Sequence, residues 1–186
     1  MFIQTEETPN PATLKFIPGQ VILEDGTQEF KSKKEAKENS LAKLLFEDDN
    51  VLGVFIGKDF ITITKSSSSD WESVKPSILS RIHDFFSSGN KVEKQKLENT
   101  KQDYNEKELN IVNQIKDLLE ERIKPAVAQD GGDISFVRFE DGIVFLELRG
   151  ACSGCPSSTI TLKSGIENML KYYIPEVISV EAINQS

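Results

Sequence analysis

Apolar residues along this chain recur with two different periods, and the switches between them mark out short strands and helices. Ala12-Thr13-Leu14-Lys15-Phe16-Ile17 alternates apolar and polar positions until Pro18-Gly19 breaks it, which predicts a strand and a turn. Between residues 33 and 46, Ala36, Leu41, Leu44 and Leu45 return at helical spacing. Residues 51–56 and 60–64, separated by Gly57-Lys58-Asp59, predict a hairpin. Ser66 to Ser69 reads as a loop. Asp70 is then placed to cap a helix whose apolar stripe is Val74, Ile78, Ile82, Phe85 and Phe86.

The pattern restarts at Leu109. Ile111, Val112, Ile115, Leu118, Leu119 and Ile123 follow at helical spacing, and Pro125 is expected to end or kink that helix. Gln129-Asp130-Gly131-Gly132-Asp133 reads as a turn. Residues 134–139 and 143–148 flank Asp141-Gly142, the strongest hairpin signal in the chain. After a loop from Gly150 comes a helix with Ile160, Leu162, Ile166, Met169, Leu170 and Tyr173 as its expected buried face. Pro175 stops it, and residues 177–183 read as a last strand. The expected fold class is α+β: two small α+β domains, 1–88 and 106–186, joined by a charged flexible linker over 89–105. Only Val92, Leu97 and Tyr104 in that linker could serve a core.

Charge narrows the functions available. The chain has 186 residues, 38% hydrophobic and 28% charged, with a net charge of −8. Residues 1–88 carry 10 basic against 14 acidic side chains, 89–105 carry 4 against 3, and 106–186 carry 8 against 13. Neither half has the basic surplus that a phosphate backbone demands, so nucleic acid is excluded as a partner. No apolar run approaches the ~20 residues that cross a bilayer, so no membrane association is expected. The first residues, Met1-Phe2-Ile3-Gln4-Thr5-Glu6-Glu7, have neither a basic, apolar leader nor the arginines of an organelle presequence. The expectation is a cytoplasmic protein, or a mitochondrial matrix one if the chain is a processed organellar form.

The candidate chemistry lies in Gly150-Ala151-Cys152-Ser153-Gly154-Cys155-Pro156-Ser157-Ser158, which holds both of the chain's cysteines. Two thiols at this spacing form a redox dithiol or half of a metal site, because tetrahedral thiolate centres for zinc or iron–sulfur clusters take four ligands. If cysteine alone binds the metal, two chains must meet at this loop. With Cys155 as N-cap and Pro156 as first helical residue, unpaired backbone N–H groups and the helix dipole would favour thiolates. The competing reading, an ordinary buried pair of thiols, suits the small polar neighbours poorly. His83, the single histidine, lies beside the apolar stripe of its helix with no second ligand near in sequence, and reads as a surface residue. Asp130 and Asp133 read as turn formers.

These segments carry a resemblance. Asp130-Gly131-Gly132-Asp133, the Leu148-to-Ser158 run, Leu162-Lys163-Ser164-Gly165-Ile166-Glu167 and Tyr173-Ile174-Pro175-Glu176-Val177 resemble the NifU C-terminal domain. Thr5-Glu6-Glu7-Thr8-Pro9-Asn10-Pro11 and residues 54–62 are similar to the Nfu N-terminal domain. The N-terminal scaffold domain of full-length NifU, with its own cysteines, has no counterpart here. The resemblance implies an iron–sulfur cluster carrier, not an enzyme. It implies a [4Fe-4S] cluster bound by Cys152 and Cys155 of two protomers, with a [2Fe-2S] cluster or Zn ranked behind it. The implied partners are a second copy of the chain, apo iron–sulfur enzymes as recipients, and an upstream assembly scaffold or carrier as donor. Two rivals remain open on the residues alone, a dithiol oxidoreductase and a structural zinc dimer, since zinc and clusters share thiolate ligands.

Overall fold

The computed structural model describes residues 1–93, 102–154 and 156–183, with the side chains of all of these but 156–158. The chain divides into two compact units, Met1–Lys96 and Leu97–Ser186. Both are α+β.

In the first unit, β1 (Gln4–Glu7), β2 (Thr13–Ile17), β3 (Gln28–Phe30), β4 (Val51–Ile56) and β5 (Ile61–Lys65) form one antiparallel sheet ordered β1-β2-β5-β4-β3. Helices α1 (Ser40–Leu45) and α2 (Trp71–Ser87) supply Leu41, Leu45, Ile78 and Ile82 to its core, against Phe16, Phe30, Ile56 and Ile63. Asp70 caps α2 as expected, accepting the Ser73 N–H at 2.8 Å. The helix expected over 33–46 is broken. Residues 35–38 form one 3-10 turn, and Asn39 then goes extended at ψ 111°. Its buried side chain accepts from Ala42 N (2.8 Å) and donates to Gln28 Oε1 (2.8 Å), a cap and a tertiary bond that an uninterrupted helix would forfeit. Two strands escaped the periodicity reading: β1 is polar throughout, and β3 has only three residues.

Val92 and Glu93 fold back onto this unit, although their composition suggested tether. Gln28 Nε2 donates to the Glu93 carbonyl (2.7 Å), the Glu93 carboxylate accepts from the N–H and hydroxyl of Ser40 (3.0 and 2.9 Å), and Val92 packs on the core. At the other end the Phe139 N–H donates to the Tyr104 hydroxyl at 3.1 Å. The middle of the expected linker, 94–101, lies outside the described residues.

The second unit's first helix is α3 (Glu106–Leu118), held by a capping box between Asn105 and Glu108. A π turn over Leu119–Ile123 leads into α4 (Lys124–Gln129), whose second residue is Pro125. Proline lacks the N–H and crowds the carbonyl four residues back, and the wider π turn absorbs that conflict without ending the helix. Next come β6 (Gly132–Glu140) and β7 (Ile143–Gly150), paired antiparallel through Asp141 (φ 50°) and Gly142 (φ 79°), a turn with both central residues left-handed. From β7 the chain enters the cysteine loop, then α5 (Pro156–Tyr173), and returns as β8 (Ser179–Ala182) parallel to β7. The sheet order β6-β7-β8 therefore puts the loop at the end of the central strand. Ile115, Leu119, Ile134, Leu146, Ile166 and Leu170 fill the core. Two side chains expected on the buried face of α5 are exposed instead: Ile160 and Tyr173. Ile166 and Leu170 occupy the sheet-facing stripe; 3.6-residue geometry turns Ile160 away from it, whereas Tyr173 continues the line of the stripe but is the last residue of α5 and is exposed at the helix end.

Candidate metal centre

The cysteine loop is anchored by the open end of the β6–β7 hairpin. Gly132 stands opposite Gly150 and Asp133 opposite Arg149. The Ala151 N–H donates to the Gly131 carbonyl at 3.2 Å, tying the chain leaving β7 to the turn entering β6. Gly150 takes φ 65°, where a Cβ would strain the backbone, and so lets the chain reverse directly out of the strand. Ser153 closes the reversal: its N–H (3.1 Å) and its hydroxyl (2.9 Å) both donate to the Gly150 carbonyl. Thr159 on α5 donates its hydroxyl to the Cys152 carbonyl at 3.3 Å, so the helix and the loop hold one another.

Cys152 is 7% exposed and belongs to the core of the unit. Its niche exists because residue 132 has no side chain. A Cβ there would lie 2.6 Å from the Cys152 Sγ, 2.7 Å from the Arg149 carbonyl oxygen and 3.1 Å from the Cys152 nitrogen. Burial pushes the thiol up to about 12, and the carboxylates of Asp130 and Asp133 add to that rise. Cys152 is therefore a neutral thiol at pH 7. That corrects the expectation of an open, thiolate-favouring setting at this residue: the niche beside Gly132 takes the sulfur out of water, and desolvation of the anion dominates. Cys155 lies outside the described residues.

Of the two aspartates, Asp130 lies in the expected turn and Asp133 does not. Asp130 ends α4 as its C-cap, but Asp133 is a buried member of β6, and both act electrostatically on Cys152. The hairpin expected about Asp141-Gly142 brings residues 132–133 toward 149–150, but it does not say that Cys152 is buried beside them. Beside the loop, Arg149 donates to the Glu147 carboxylate at 2.7 and 3.1 Å. His83 sits on α2 of the other unit, partly exposed, 3.3 Å from Asp84 Oδ1 and 3.4 Å from the Ser87 hydroxyl. It is a surface residue.

The thiol's environment makes stability depend on pH in a definite direction. Cys152 ionises near 12 in the folded chain against an ordinary thiol value of 9.0, so above about 9 the unfolded chain sheds this proton first. Folding stability is then fully present below about 9 and declines as pH rises toward 12. Thermal unfolding followed by circular dichroism from pH 7 to 10.5 should show the melting midpoint of the natural protein falling more steeply than that of Cys152→Ala. Parallel declines would mean the thiol is not desolvated.

Two family descriptions match the chain, "Scaffold protein Nfu/NifU N terminal" over residues 3–89 and "NifU-like domain" over residues 115–181. The second spans the cysteine loop. The chain belongs to the Nfu family of NifU-like proteins. The proteins named "NFU1 iron-sulfur cluster scaffold homolog, mitochondrial" from Drosophila ananassae and Drosophila virilis are 48% and 50% identical to it over 184 residues. Those alignments cover 98% of this chain, and 64% and 62% of the respective relatives. The chain thus spans somewhat under two thirds of the length of the curated relatives it matches. The solution structure of a NifU-like protein from Saccharomyces cerevisiae aligns with 28% identity and a TM-score of 0.47, over 51% of this chain and 87% of that one. No helix among the described residues is long and apolar enough to cross a membrane.

Proposed function

We propose that this protein carries an iron–sulfur cluster as cargo, held by Cys152 and Cys155 from each of two chains, and passes it to apo-proteins. The observation that carries this reading is the Cys-x-x-Cys loop itself, set between β7 and α5 of a NifU-like domain. Two thiolates per chain and four ligands per cluster require a dimer. A [4Fe-4S] cluster is the cargo the family resemblance favours. Its release is a ligand exchange: incoming thiolates replace the carrier's four, the departing thiolates take up protons, and no electron moves. Reprotonation of Cys152 is favoured by its niche, since burial and two neighbouring carboxylates stabilise the neutral thiol. That bias suits a carrier, which must let go. It acts by binding and transfer and needs no catalytic residue. A compartment that keeps thiols reduced, the cytoplasm or the mitochondrial matrix, suits it, and relatives named as mitochondrial favour the mitochondrion.

The first unit holds neither cysteine, and we assign it to docking with recipients or the upstream donor, bringing the second unit to high effective concentration. Anaerobic reconstitution with iron and sulfide tests the whole reading. The loaded protein should be brown, contain about four irons per two chains, and run as a dimer in native mass spectrometry. Four irons on a strict monomer, or a colourless zinc-loaded dimer, would overturn it. Transfer to an apo-enzyme should slow when residues 1–104 are removed; equal rates with every recipient would leave the first unit without a docking role.

A further inference from the structure

The exposed side of α5 next to the cysteine loop is unusual for so charged a chain. Thirteen consecutive residues, Gly150 to Leu162, carry no charge, although residues 106–186 hold 8 basic and 13 acidic side chains. The charges that bound this stretch are matched within the unit. Arg149 is 2.7 Å from the Glu147 carboxylate, Lys163 Nζ is 3.0 Å from Glu181, and Lys171 Nζ is 2.6 Å from Glu167. Glu167 also accepts the Val180 N–H at 3.0 Å. On this quiet surface Ile160 stands 67% exposed, five residues after Cys155, and the next outward positions along the helix are Ser164 and Asn168.

We infer that the N-terminal half of α5, centred on Ile160, is the surface on which a second copy of this chain docks. The inference rests on the cluster-carrier reading and adds to it the face through which the dimer forms. Completing four thiolates brings a second loop to this one, and whatever flanks the loop must then come into contact. Two acidic protomers can approach along this stretch because Gly150 to Leu162 contributes no charge of its own, and Ile160 gives the contact an apolar centre. The two N-terminal ends of α5 must meet at the shared cargo: an 18-residue helix is about 27 Å long, so α5 helices paired antiparallel along their full length would hold the two loops that far apart. A two-fold axis then passes between the two N-terminal ends. The surface is then isologous, and a change at residue 160 acts twice.

The test compares Ile160→Lys with Ile160→Leu and Tyr172→Lys in the full chain, each reconstituted anaerobically with iron and sulfide. Lysine is chosen because its charge attracts an anionic cluster, so a loss of binding cannot come from repulsion of the cargo. Ile160 is largely exposed, and the far-ultraviolet spectrum and melting midpoint of the cluster-free variants should match the natural protein. Sedimentation of the loaded forms should show dimerisation at least tenfold weaker for Ile160→Lys and within twofold of normal for Ile160→Leu. Tyr172→Lys, 80% exposed but near the far end of α5, should also stay within twofold. An Ile160→Lys dimer as tight as the natural one would overturn the inference. So would a dimer that forms normally but no longer delivers its cargo, since the face would then belong to recipients. Equal weakening by Tyr172→Lys would move the interface off the N-terminal half and overturn it as well. If the natural protein loads iron as a monomer, the carrier reading fails first and the docking face falls with it.

Discussion

Alanine at Cys152 or at Cys155 is expected to abolish stable iron–sulfur binding outright. In a symmetric dimer each substitution removes two of the four ligands, so no partial site is left. Iron and sulfide counts per chain after anaerobic reconstitution measure the loss. The structure adds a second expectation for Cys152 alone. Because its side chain sits in the core of the second unit, Cys152→Ala should also lower folding stability, by on the order of 1 kcal/mol. Full iron content in Cys152→Ala, accompanied by that loss of stability, would reduce Cys152 to a core residue and remove it from the site.

Gly132→Ala should be the most damaging small substitution near the loop. The added Cβ would meet backbone at 2.7 and 3.1 Å as well as the Cys152 sulfur at 2.6 Å, so β6 and β7 would have to separate. Overpacking of this kind costs about 1–3 kcal/mol, which in a unit of this size lowers the melting midpoint by roughly 5–20 °C. Gly165→Ala provides the contrast. It lies in α5 with nothing within 4 Å of its added Cβ, and replacing a helical glycine by alanine gains about 1 kcal/mol. Melting curves of the two variants should therefore move in opposite directions. A Gly132→Ala protein that melts normally would show that the niche is not rigid. In that case the thiol of Cys152 is not held by it.

Much of the fold was legible in the chain because it depends on neighbours in sequence. Asp141-Gly142 selects a turn with two left-handed residues whatever else surrounds it, and β6 and β7 follow. Asp70 caps α2 through a bond three residues long, and the stripe from Val74 to Phe85 needs only helical spacing. The two cysteines marked the candidate site by count and spacing, as a redox dithiol or half of a metal site. Tertiary contacts decided the rest. Asn39 breaks the expected first helix because Gln28, eleven residues earlier, is there to bond it. The polar strand β1 is a strand because β2 offers it an edge. Ile160 and Tyr173 read as buried by type, yet the sheet covers a single face of α5, which excludes Ile160, and does not reach the last residue of the helix, which leaves Tyr173 exposed. The state of Cys152 belongs to the same class. Composition alone determined that this protein has two thiols, three positions apart in one loop. That one of them is stowed as a neutral thiol follows from Gly132 and Asp133 arriving across the hairpin, since desolvation and charge act through space and leave no periodic trace in the chain.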